Sequence, residues 1–437
     1  LCPRPDGPLR NWLVIVWLAP DDDKRVFQGN LRGDNMPSSL TWLDHDHSAR
    51  DRSLRILALF KEKESRDELG IGGIRDAIAD RLFPGTSTIQ TRLRYMLLIP
   101  WIYDRLEKRQ IKGAYFPAQA RQDELALVKP LLDEREAGVF GAQSGSGLKR
   151  LPSSVYWSGL GSWGIRRFVG SQQEYHQAVD GLYRRRARLR PGLDDRRDPE
   201  DHHADPASQS WHPKLPAPPE GFPGQLDLKV TPDEAIFLTD RITASCTDSL
   251  LAWLVLHARP ADVVEPWLHP QFSDFPQPMQ ELLQHARLFA DMVEGAARLY
   301  NLMLAELAEN ASRREAHRQA LAEWAQGLDT AALAHWSLDA FWHQTEGFGH
   351  TITLATKNFV ETWVERVRAD PAGIADDQAA RSLVRHRESA LKGARSRFVN
   401  RGALAQWSGN AGIGRLVYRW PTVRTLLDDL FVANGVK

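Results

Sequence analysis

Cysteine is nearly missing from this chain of 437 residues: Cys2 and Cys246 are too few for a disulfide framework or a four-ligand zinc site. That usage suits a reducing compartment, so the expected location is the cytoplasm. Net charge is missing too. Against 56 Lys and Arg stand 56 Asp and Glu, so no global field draws the chain to nucleic acid or to a membrane, and attraction has to come from local patches. No long apolar run is present either. Trp12 to Pro20 (WLVIVWLAP) falls short of the roughly 18–20 residues that span a bilayer, and acidic Asp21 to Asp23 follow where a signal peptide would carry small residues. No membrane partner is expected.

The familiar catalytic signatures are also lacking. There is no Walker phosphate loop, no HExxH, no GxSxG and no kinase set. GIGGIRD, from Gly70 to Asp76, has neither the glycine spacing nor the preceding strand of a dinucleotide turn, so it reads as a helix-entry loop. Histidines do not gather into a metal site: His45 and His47 alternate, His202 and His203 lie in a polar stretch, and His335 and His343 flank Trp342 as packing residues do. No metal and no cofactor are expected.

What is present is an ordinary globular composition, 42% apolar and 26% charged, on a chain long enough for more than one domain. The first methionine is Met36, and residues 1–35 are expected to be a non-native or disordered extension. Helical periodicity runs through Asp44–Lys63, through Ile74, Ile78 and Leu82, and through Ile89, Leu93, Met96 and Leu97. Thr86 or Ser87 offers an N-cap for the last of these, and Pro100 is expected to kink or divide it. The two helices joined by FPGTST have a helix-turn-helix outline. Gly138–Ile165, rich in Gly and Ser, predicts loops with a short strand or two.

Composition then shifts to Pro, Arg and Asp over Tyr183–Gly224, the best linker in the chain. Beyond it, Thr231 and Pro232 open a series of long helices. The expected architecture is mainly α: a helical domain over 36–182, a linker over 183–224, and a helical domain over 225–437.

Two groups of residues carry candidate chemistry. From Ala380 to Lys437, eleven Lys or Arg face three acids, a balance of 11 − 3 = +8, interleaved with Phe398, Trp407, Tyr418 and Trp420. Cations with interspersed aromatics suit phosphates and stacked bases; the candidates are Lys392, Arg395, Arg397, Arg401, Arg415, Arg419 and Trp420, with Arg92 and Arg94 from the apolar run. A second basic run, Arg184 to Arg190, adds five arginines. Arg92 and Arg94 either reach outward to phosphate or pair with Asp76 or Asp80. The alternative is an enzyme site built from Arg66, Asp67, Glu68, Arg75 and Asp76, with Arg92 beside them.

SSLTWLD, RDELGIGGIRDAIADRLFPGTSTIQTRLRYMLLIPWIY, VYWSGLGSWGI, HARLFADMVEGAARLYNLMLAE and LVYRWPTVRTLLDDL together resemble a family of bacterial proteins known only as a domain of unknown function. The likeness runs from about Thr41 to Val432 and is most specific over 66–103. It implies a cytoplasmic protein encoded near helicases and phage-defence genes, and it supplies no catalytic residues. The expected function is a nonenzymatic subunit that contacts DNA or RNA, or an adaptor. A scaffold for a helicase or another defence protein is the further alternative.

Overall fold

The computed structural model describes residues 67–189, 209–346 and 349–436. The expected helix over Asp44–Lys63, the 1–35 extension, Arg66 and the histidines at 45, 47, 202 and 203 lie outside the described residues. The described residues belong to one compact unit. It is mainly α. The helices are α1 (Gly72–Leu82), α2 (Tyr95–Lys108), α3 (Phe116–Ala126), α4 (Val128–Asp133), α5 (Pro152–Ser162) and α6 (Gln172–Leu189). After the Pro-rich stretch come α7 (Pro232–Ser245), α8 (Leu250–His257), α9 (Gln277–Leu307), α10 (Ala311–Gln326), α11 (Thr330–His335) and α12 (Leu338–Thr345). The last are α13 (Leu354–Ala369), α14 (Gln378–Lys392), α15 (Arg401–Ala405) and α16 (Trp420–Ala433).

The longest element is α9, whose 31 residues make a rod of about 46 Å. Most of its residues are buried, and a helix that is apolar nearly all round has to be covered nearly all round. Accordingly α10 runs along it, and α14, α13, α12 and α1 pack against it. The approach to α10 is close at Gly295, where a Cβ would stand 2.1 Å from the Trp324 ring. Two tryptophans donate to carbonyls of this helix: Trp324 Nε1 to Asp291 at 2.8 Å and Trp363 Nε1 to Met292 at 2.9 Å. Fully buried Asn301 donates to the carbonyls of Ala297 and Ala411 and accepts from Trp407 Nε1 and Ala411 N, which fastens the loop after α15 to the rod.

Three expectations about local structure need correction. The helix predicted to start at Thr86 or Ser87 starts at Tyr95. Thr86 donates its hydroxyl to the Phe83 carbonyl, and Gln90 closes a turn through Ser87 N and the Gly85 carbonyl, so the hydroxyls build a loop instead of a cap. Pro100 does not divide the run into two helices; it lies inside α2, where burial of Tyr95 to Tyr103 outweighs one missing backbone bond. Gly138–Ile165 holds no strand. Pro152 starts α5, and Gly159 sits where α5 meets the 83–94 loop, a Cβ there falling 2.3 Å from the Gly85 carbonyl oxygen. Among the described residues no strand is present, and a single antiparallel bridge joins Arg166 to Trp211.

Within Tyr183–Gly224, helix α6 continues to Leu189, and the part after 208 lies against α2. Trp101 Nε1 donates to the Pro216 carbonyl at 2.7 Å, and Trp211 Nε1 to buried Glu107 at 3.2 Å. Helices before and after this stretch share one apolar core. As expected, α7 opens on Thr231, which forms a reciprocal capping box with Glu234; α16 starts at Trp420, with Pro421 in its first turn.

Glu124 on α3 is buried against this core, accepting the Ser153 amide at 2.8 Å while its other oxygen has no partner. Burial pushes its carboxyl up to about 7, despite the bonds from Ser153 and the nearby charge of Arg121. Between the ordinary carboxylate range and pH 7 the folded chain therefore holds a proton that the unfolded chain releases, and stability falls as pH rises through that window. Glu124→Gln is expected to melt at a higher temperature than the parent chain at pH 8, with the gap closing at pH 5; thermal melts at the two values check it.

Candidate nucleic-acid interface

A phosphate-binding surface needs cations that are exposed and not already neutralised, so the question for each candidate is what its charge touches. Arg94 is 4% exposed. Its guanidinium pairs with Asp227 and, at 2.8 Å, with Glu234 Oε1. Arg92 meets Asp429 at 2.9 Å and Glu136 at 3.2 Å, and donates to the Leu228 carbonyl. The expected partners Asp76 and Asp80 are engaged elsewhere: Arg75 pairs with Asp76, while Arg419 and His350 both bind Asp80. The 83–94 segment is thus a loop with internal ion pairs rather than the second half of a helix-turn-helix unit.

The C-terminal cations are mostly directed inward. Lys392 is buried and pairs with Glu68, 3.5 Å from fully buried Glu388; burial lowers its ammonium to about 8. Arg397 joins the same group through Glu68 at 2.7 Å and the Tyr300 hydroxyl at 2.9 Å. Arg415 holds Glu265, Asp291 and Glu294 at 2.6–3.0 Å. Arg419 reaches Asp80 and the Thr86 carbonyl, and buried Trp420 donates its indole to the Val263 carbonyl. Arg395 and Arg401 remain exposed. An excess of eight positive charges along the sequence is therefore largely answered by acids from elsewhere in the chain.

The alternative polar cluster does not converge. Asp67 accepts the Gly72 amide, Glu68 belongs to the Lys392 group, Arg75 and Asp76 pair with each other, and Arg92 lies with Asp429. Among the described residues are clefts of about 950 and 860 Å³, and no member of the polar cluster lines either. In the larger, Glu265 and Asp291 are bound to Arg415, and His285 accepts from Trp336 Nε1. In the smaller, burial pushes the Cys246 thiol up to about 11, which keeps it protonated and a poor nucleophile. Among the described residues no group of His, Cys, Asp and Glu is placed to hold a metal ion, and no helix is long and apolar enough to cross a membrane.

Exposed positive charge gathers instead where α2 and α6 end side by side. Tyr183 donates its hydroxyl to the Ile111 carbonyl at 3.0 Å, Asp180 accepts the Gly113 amide at 3.0 Å, and Arg186 pairs with Glu107 at 2.5 Å. These contacts lay α6 against the end of α2 and the loop after it. Arg105, Arg109 and Lys112 on the one side and Arg184, Arg185 and Arg188 on the other are exposed and have no acidic partner among the described residues. Lys108 adds a charge shared with Asp104 at 2.7 Å. Cations at these positions also complement the negative ends of both helices. Beside them Tyr115 is 70% exposed. The basic run from Arg184 was visible in the sequence. Its neighbours at 105–112 were not, because they are brought to it only by the packing of Tyr183 and Arg186.

The profile of a family of unknown function, DUF6361, matches residues 37–434, so the chain belongs to that family. No curated protein and no solved structure matches it.

Removing one partner of a buried ion pair leaves the other charge unpaired, at a penalty of about 3–5 kcal/mol. Arg94→Ala strands Glu234 and is expected to lower stability by an amount of that order; Arg105→Ala, at the exposed end of α2, is expected to change it by less than about 0.5 kcal/mol. Urea unfolding of the two variants checks the contrast.

Proposed function

We propose that this chain binds the phosphate backbone of nucleic acid through the surface formed by the ends of α2 and α6, as a nonenzymatic, cytoplasmic component of a multi-protein bacterial system. The observation that carries the reading is the set of six exposed cations on adjoining elements with no acidic partner among the described residues, Arg105, Arg109, Lys112, Arg184, Arg185 and Arg188. Unpaired surface cations retain their counterion-releasing capacity, whereas Lys392, Arg397, Arg415 and Arg419 have their charge answered within the fold. The nonenzymatic part of the reading is supported by the dispersal of Asp67, Glu68, Arg75, Asp76 and Arg92 over separate places. A role beside helicases in phage defence is an extension of the same reading, suited to a protein that holds a nucleic acid without cutting it.

Binding of a fluorescent oligonucleotide should weaken by about a thousandfold as salt rises from about 50 to 200 mM, the slope expected for six or so phosphate contacts. The triple change Arg184→Gln, Arg185→Gln and Arg188→Gln is expected to reduce low-salt affinity by about tenfold or more without lowering the melting temperature, since Gln keeps a good helix propensity. Arg395→Gln with Arg401→Gln is expected to change affinity by less than about twofold, with salt-linked loss of the same form. No binding at low salt, or preferential binding of an acidic polypeptide, overturns the reading.

A further inference from the structure

Among the described residues, Tyr115 is the one aromatic side chain in the exposed class; the other exposed apolar side chains are aliphatic. It stands three residues after Lys112 on the loop between α2 and α3. That loop is held in place. The Ile111 amide donates to the Leu106 carbonyl at 3.2 Å, the Tyr115 amide to the Lys112 carbonyl at 2.9 Å, and buried Phe116 anchors the next position in the core. Gly113 lies so close to α6 that a Cβ would fall 2.7 Å from the His176 carbonyl oxygen. The Tyr115 ring makes no ring contact with another described aromatic, and Ala114, Pro117 and Ala118 around it are themselves exposed. The result is an open ring face on a fixed backbone, at the edge of the cations at 105–112.

We infer that the surface selects single-stranded nucleic acid, with Tyr115 as a platform on which one base stacks while Arg109, Lys112, Arg184, Arg185 and Arg188 hold the flanking phosphates. The inference rests on the phosphate-binding reading above and adds the form of the nucleic acid. In a duplex both faces of each base are already stacked, so an aromatic ring standing out from a basic surface gains a partner only from an unpaired base. Stacking of this kind is indifferent to base identity and to the sugar, so DNA and RNA single strands share the chemistry.

The test uses the whole chain with four probes of equal length: oligodeoxythymidylate, oligouridylate, an abasic strand and a duplex. Tyr115→Ala is expected to weaken binding of both base-bearing single strands by about tenfold, to leave the abasic strand and the duplex unchanged, and to keep the melting temperature. Tyr115→Phe, which retains the ring, is expected to bind like the parent. Separation of the two base-bearing strands reports which sugar is preferred. If the parent holds duplex as tightly as single strand, or if Tyr115→Ala binds every probe as the parent does, the stacking inference falls while the phosphate-binding reading stands. If no probe binds at low salt, both fall.

Discussion

A guanidinium inside an apolar segment has to be met by carboxylates, and much of this fold follows from where those carboxylates come from. Arg94 lies at the head of α2, flanked by Leu93 and Tyr95, which are buried. Its partners Asp227 and Glu234 come from beyond the Pro-rich stretch. Two residues earlier, Arg92 is held by Glu136 and by Asp429 of α16. The same few residues thus fix the start of α2, the entry to α7 and the seat of the last helix. Glu234 does this while also closing the capping box of α7, one oxygen on Arg94 and the other on the Thr231 amide.

Charge sorting explains why a neutral chain can still present a basic surface. Acids at Glu68, Glu265, Asp291 and Asp80 are consumed by the C-terminal cations. Arg184, Arg185 and Arg188 of α6 and the cations of the α2–α3 loop find no such acids among the described residues, and they stay in water where their charge is complete. Which basic run is structural and which is a surface depends on the acids folded against it, a property that a count of eleven against three does not contain.

Much of the architecture was legible in periodicity. Ile74, Ile78 and Leu82 mark α1, Thr231 and Pro232 mark the start of α7, and the apolar run from Met279 to Leu304 marks the buried rod α9. The misread places share a cause. Thr86 and Ser87 look like caps, but hydroxyls serve turns as readily as helix ends. Val155, Tyr156 and Trp157 look like a strand, yet the glycines beside them allow a helix to press against the Gly85 backbone. Local propensity was overridden by packing in both.

By itself the sequence determined the class, a mainly helical chain without the residues for a disulfide framework, because those properties follow from composition and from the 3.6-residue period of its apolar positions. It also determined that any basic surface had to be local. Only the tertiary structure decided which basic run that was. A charge is binding or structural according to what stands within a few ångströms of it, and Asp429, which meets Arg92, and Asp80, which meets Arg419, each lie more than three hundred residues away along the chain.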